Sequence, residues 1–171
     1  VTYANTSNIP STLARTVTWI GNDGAASSAG VTSTVNVTAA NDAPVLTAGA
    51  TLVYTENDAA TAIDGTITVT DADSANLASA TAQISGNYVN GEDVLACPAA
   101  CGGLTASFTA ATGTLSLSGS ATLAVYQTAL RTVTYANTSN NPSTLARTVT
   151  WIGNDGAASS AGVTSTVNVT A

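Results

Sequence analysis

The side chains able to do chemistry in this sequence are few and mostly of one kind. Ten Asp and Glu stand against three Arg, with no Lys and no His, giving a formal charge of −7 and a pI near 4.1. Without imidazole there is no Ser-His-Asp or Cys-His nucleophile pair and no His-ligated zinc, copper or haem. Without Lys there is no P-loop lysine and no Schiff base, and three Arg make no patch able to neutralise phosphates, so nucleic acid is not an expected partner. The remaining donors suit a hard cation. Thr70-Asp71-Ala72-Asp73-Ser74-Ala75-Asn76 sets two carboxylates and an amide at i, i+2 and i+5 just after a strand pattern, and Ca²⁺ takes six to eight oxygens from such loops. The same residue types also favour turns, where they bond their own backbone, so spacing alone leaves both readings open. Glu92 and Asp93 are adjacent acids, but neighbours on a strand point to opposite faces and cannot flank one glycosidic bond as an acid and base pair. No enzymatic activity is expected.

Cys97 and Cys101 bracket Pro98-Ala99-Ala100. That spacing matches neither the usual zinc-finger pair nor a CxxC redox motif. It favours a local disulfide closing a Pro/Gly loop, hence an oxidising, extracellular or periplasmic location; the alternative is two free thiols in a loop.

The elements that must position these groups read as short strands. Charged residues are only 8% of the chain, against about 25% in a typical domain, while 44% is apolar. Apolar residues alternate with Thr and Ser at Thr51–Thr55, Thr61–Thr70, Ala80–Ser85, Leu104–Thr109, Thr114–Ser118, Arg131–Ala136, Ala146–Ile152 and Val163–Thr170, the period of half-buried strands. Ala111-Thr112-Gly113 is a tight hairpin connection, and Gly153-Asn154-Asp155-Gly156 supplies residues that tolerate positive φ. Ser120–Leu130 breaks the pattern: Leu123, Tyr126, Gln127 and Leu130 fall at helical spacing behind a candidate N-cap, Ser120. The expectation is an all-β sandwich with one short helix. Trp19 and Trp151, Tyr3 and Tyr135, and Tyr126 sit within these patterns and are expected in the core rather than on a sugar-stacking platform. No apolar run reaches the roughly 18 residues that span a bilayer, so membrane insertion is not expected.

A long internal repeat organises the chain. Residues 1–39 recur at 133–171 with a single change, Ile9 against Asn141, a period of 132 residues. That period falls in the usual domain range. Residues 1–40 therefore read as the C-terminal strands of a preceding, near-identical repeat and 41–171 as one complete repeat, a piece of a longer string of beads. Eight of the ten acids lie between 41 and 132, where Arg131 is the sole cation.

The order of Tyr54-Thr55-Glu56-Asn57, then Thr68–Asn76, then Asn154-Asp155-Gly156, with Asn41-Asp42-Ala43-Pro44 as linker, is similar to cadherin repeats. It most resembles the bacterial cadherin-like and VCBS-type tandem repeats of very large secreted surface proteins and adhesins. The resemblance implies a Greek-key sandwich strung end to end with calcium at the junctions. It maps ligands onto Asp71, Asp73 and Asn76, onto Asp155, and onto Asn41 and Asp42, which together would hold an ion where 1–40 meets the complete repeat; Glu56 would serve the following junction. Two departures stand out: the linker is short, with Thr38, Ala39 and Ala40 in place of further acids, and an acidic motif in the middle of the animal repeat is missing. The function implied is a non-catalytic spacer, rigidified by Ca²⁺, in a secreted or cell-surface protein or an extracellular filament. Its partners would be adjacent identical repeats, in a homo-oligomer or filament, with cell-surface glycans as the alternative ligand of an adhesion module.

Overall fold

The computed structural model describes residues 1–98 and 101–171, so Ala99 and Ala100 of the cysteine loop lie outside the described residues. The chain divides into two compact units, Val1–Asn41 and Asp42–Ala171. The first holds two strands, β1 (Arg15–Trp19) and β2 (Val31–Val35), paired antiparallel from Arg15 opposite Val35 to Trp19 opposite Val31.

The second unit is an all-β sandwich with one short helix. Its strands are β3 (Val45–Thr47), β4 (Thr51–Thr55), β5 (Thr61–Ala62), β6 (Thr68–Thr70), β7 (Asn76–Gly86), β8 (Asp93–Ala96), β9 (Thr105–Thr109), β10 (Thr114–Thr122), β11 (Thr134–Asn137), β12 (Arg147–Asn154) and β13 (Val163–Thr170), with α1 (Leu123–Arg131) between β10 and β11. The main sheet runs β4-β13-β12-β7-β10-β9; β5-β11-β8 and β3-β6 form smaller sheets. Every pairing in the main sheet is antiparallel except β13 with β4.

Alternation decides which face goes inward. Along β12, Arg147, Val149, Trp151 and Gly153 are buried while the residues between them are half-exposed. Along β13, Ser165, Val167 and Val169 are buried. Trp151, Tyr126 and Tyr135 are fully buried core side chains, as the sequence predicts, whereas Trp19 and Tyr3, expected in a core as well, are 40% and 46% exposed; truncating a side chain of this size in a core typically costs about 3–5 kcal/mol. Tyr54 and Tyr135 meet edge to face with ring centres 5.0 Å apart.

The structure corrects several sequence-based bounds. Thr61–Thr70 is two strands, because the chain turns at Asp64-Gly65 to bring the Asp64 carboxylate inward, where Gly49 N, Ala50 N, Thr66 N, Thr66 Oγ1 and Ser165 Oγ all donate to it. The helix cap is Thr122, whose hydroxyl accepts from Val125 N, and not Ser120. β10 continues through Ser120 because Ala121 and Thr122 pair with Leu77 and Asn76 beyond a bulge. Arg131 ends the helix, so β11 starts at Thr134. The strands β3 and β8 are too short for alternation to show. The β9–β10 connection ends at Gly113, with φ 63° and the Tyr88 ring 2.8 Å from where a Cβ would stand, so no larger residue fits this turn without displacing that ring.

Candidate metal centre

The loop between β6 and β7 carries Asp71 and Asp73. Its local fold uses half of each carboxylate. Asp71 Oδ1 accepts from Asp73 N (3.0 Å) and Ser74 N (2.8 Å), an Asx turn that reverses the chain into β7. Asp73 Oδ2 accepts from Asp42 N (3.2 Å), which ties the start of the unit to the loop. The other two oxygens, Asp71 Oδ2 and Asp73 Oδ1, are buried and have no hydrogen-bond partner. Leaving an acceptor buried and unmatched costs roughly 1–3 kcal/mol, more for a charged group. Two such oxygens, two residues apart, form a pair of donors lacking an acceptor of their electrons.

The remaining residues singled out in the sequence divide between the two ends of the main sheet. Asn154 of β12 lies opposite Ser79 of β7, so the turn after β12 and the Asp71–Asn76 loop occupy the same end. There Asp155 Oδ1 accepts from Ala157 N and Ala158 N, both at 2.7 Å, Asn154 Oδ1 accepts from Gly156 N, and Asn154 Nδ2 donates to Ser159 Oγ. This turn holds itself together by its own side chains. Asn76 opens β7 opposite Thr122 with its side chain exposed. Asn41 closes the first unit and Asp42 opens the second. Glu56 is at the opposite end of the sheet, where its N–H donates to Thr170 O (2.8 Å) at the close of β13. Its Oε2 is buried without a partner. Among the described residues, no group of three His, Cys, Asp or Glu side chains is placed to hold a metal ion.

Sequence reasoning misses a polar cluster in the core. Asp93 on β8 and Arg147 on β12 form an ion pair, Nη2 to Oδ1 3.3 Å, with both side chains wholly buried. Arg147 Nε also donates to Asp93 Oδ2, Tyr135 Oη donates to Oδ1 (2.5 Å), Asn137 Nδ2 donates to Oδ1 (2.8 Å) and Val89 N donates to Oδ2 (2.8 Å). Arg147 Nη1 donates to Ser143 O and Leu145 O. The Tyr135 phenol is raised far above its ordinary range, first by burial and then by its bond to the Asp93 carboxylate, which requires the proton. Asp64 moves the opposite way: burial acts to raise it, but donors from Thr66, Ser165, Ala50 and Gly49 outweigh burial and hold it well below the usual carboxylate range. These enclosed, satisfied groups do structural work. The signal for Arg147 was its phase with Val149 and Trp151.

Cys97 and Cys101 are joined as a disulfide. Beside it lies a recess of about 130 Å³ lined by Pro98, Cys101, Gly102, Thr128, Ala129 and Thr132. Among the described residues no helix is long and apolar enough to cross a membrane. Comparison with family models, curated proteins and solved structures finds no match to this chain.

Proposed function

We propose that the chain is a non-catalytic structural repeat of a secreted or cell-surface protein or an extracellular filament, and that a calcium ion bound at Asp71 and Asp73 stiffens it. One observation carries this reading. Among the described residues, three buried side-chain oxygens lack a partner, and they belong to Glu56, Asp71 and Asp73. A hard cation satisfies carboxylate oxygens already excluded from water and neutralises their charge at the same time. Ca²⁺ would supply the positive charge that lets the two carboxylates lie close together. Asn41, Asp42, Asn76 and Asp155 are the candidates the sequence motifs offer for further oxygens, with water and backbone carbonyls making up the shell. Glu56, at the other end of the sheet, would contribute to a second site with the next repeat. The disulfide fits an oxidising compartment, and the absence of His and Lys fits a scaffold.

The test is thermal unfolding of the full chain with chelator and with 10 mM Ca²⁺. For an extracellular module with Kd of about 10⁻⁴–10⁻³ M, this concentration stabilises by about 1.4–2.7 kcal/mol, a rise in Tm on the order of 5–10 °C for a domain of this size. Asp71→Asn with Asp73→Asn should abolish the rise and, in chelator, leave Tm equal or higher, because two repelling buried charges are gone. A Tm indifferent to Ca²⁺, or a response that survives the double substitution, removes the cation from the reading.

A further inference from the structure

The turn that leads into β8 carries the chain's only Asn-Gly step, Asn90-Gly91. Glycine has no Cβ to shield its amide nitrogen from the preceding side chain. That nitrogen can attack the Asn Cγ, close a succinimide ring and expel ammonia. Water then opens the ring at either carbonyl, giving aspartate or isoaspartate, the latter with its backbone routed through Cβ. Water enters, ammonia leaves, and no atom changes oxidation state.

The structure separates Asn90 from the other places where such a ring could close. Of the Asp-Gly steps, Asp64 accepts hydrogen bonds on both carboxylate oxygens in the core. Asp155 Oδ1 accepts from Ala157 N and Ala158 N, and Asp23 Oδ1 from Ala25 N and Ala26 N. In the same two turns, the amides of Asn22 and Asn154 are each held at both ends. Asn90 is exposed, and its amide makes one long contact, 3.5 Å from Tyr88 Oη, which also donates to Ala110 O. Neither Asn90 O nor Gly91 N makes a hydrogen bond among the described residues, so the peptide between them can rotate and bring the nitrogen to Cγ. No atom lies within 4 Å of where a Cβ would stand on Gly91, which leaves room for the ring.

What the turn holds determines what the reaction does. Val89 O accepts from Glu92 N and Asp93 N, and Val89 N donates to Asp93 Oδ2. Thr138 Oγ1 donates to Gly91 O and Thr138 N to Glu92 O. The turn therefore fixes the backbone that carries Asp93 into its buried pair with Arg147. Isoaspartate adds an atom to the path between Val89 and Asp93 and a negative charge to the turn.

We infer that Asn90 is a site of spontaneous deamidation, and that its isoaspartate product loosens the turn supporting Asp93, so that each such unit carries a chemical clock. The reaction needs only water, and it quickens with hydroxide because the attacking amide must lose its proton.

The test ages the full chain, in chelator, at neutral and at mildly alkaline pH. Peptide mapping by mass spectrometry with electron-transfer fragmentation locates deamidation and tells isoaspartate from aspartate, and Tm is followed alongside. Modification should concentrate at Asn90, with isoaspartate the major product and a rate proportional to hydroxide. The aged chain should melt lower by on the order of 5 °C, about a tenfold shift in the folding equilibrium for a domain of this size, as expected when turn hydrogen bonds are lost. Asn90→Gln, and Asn90→Ser as a second control, should begin with the parent's Tm and keep it. The inference is overturned if Asn90 stays intact in the folded chain while it reacts in denaturant, since the fold then locks the peptide. It is equally overturned if Asn154 reacts as fast, if isoaspartate accumulates without a change in Tm, or if the control chains lose stability at the parent's rate. Because every reading is taken without Ca²⁺, this inference and the cation reading fail separately.

Discussion

Replacing Arg147 by Met keeps the length and most of the volume of the side chain and removes the charge. Asp93 would keep Tyr135, Asn137 and Val89 as neutral donors but lose the cation, and the Ser143 and Leu145 carbonyls would lose their donor. Breaking a buried pair by removing one partner costs about 3–5 kcal/mol, because the survivor is an uncompensated charge. Against a total stability of about 5–15 kcal/mol, that is a large share. With an unfolding entropy of roughly 2.1 cal/mol/K per residue over about 130 residues, the loss corresponds to a Tm lower by roughly 10–20 °C.

The assay is denaturant unfolding followed by circular dichroism on Arg147→Met, Asp93→Asn and the double variant. Each single should be strongly destabilised, and the double should be more stable than the sum of the singles predicts, by about 2 kcal/mol or more, since neither charge is then stranded. The chain also contains its own control. Arg15 has the same neighbours in sequence as Arg147 but no ion-pair partner among the described residues, so Arg15→Met should leave the unfolding of the second unit unchanged. A loss below 1 kcal/mol at Arg147, or additivity of the two singles, would show that the pair is not coupled and refute the reasoning.

Two further outcomes follow from the buried groups. Asp64 has a folded pKa below its unfolded value of about 3.9, so its contribution is complete above that value and is lost as pH falls beneath about 4; Asp64→Asn should lower Tm at pH 7 and flatten the fall in Tm between about pH 4 and 2, and parallel Tm–pH curves for the two proteins would contradict this. Replacing Cys97 and Cys101 together by Ala should cost about 2 kcal/mol, the chain-entropy value for so short a ring, with near-ultraviolet circular dichroism unchanged; loss of the folded state would show that the ring holds more than its own loop.

Much of the sandwich was legible because its longest strands alternate cleanly. Thr51–Thr55 and Val163–Thr170 have the same bounds in sequence and structure, and the Ala111–Gly113 connection is where turn chemistry places it. Strands with few inward positions were not legible: β8 buries only Asp93 and Leu95, too few for a period to emerge. The split of Thr61–Thr70 depended on a carboxylate finding donors from loops and from Ser165, a long-range fact that no local pattern contains. For the candidate site, the types of Glu56, Asp71 and Asp73 were legible and their partnerless oxygens were not, since which oxygen meets a donor is set by the fold around it. The Asp93–Arg147 pair was half legible, through the phase of Arg147 along its strand.

The repeated hairpin separates two causes of strand formation that usually coincide. Residues 15–19 and 31–35 pair in both settings, so turn chemistry and alternation suffice for them. Ile152, Gly153 and Asn154 become strand only beside Thr81, Ala80 and Ser79, and Asn168, Val169 and Thr170 only beside Val53, Tyr54 and Thr55. Extension of the sheet is therefore set by the neighbouring strands β7 and β4, while the hairpin itself is fixed by its own turn and alternation.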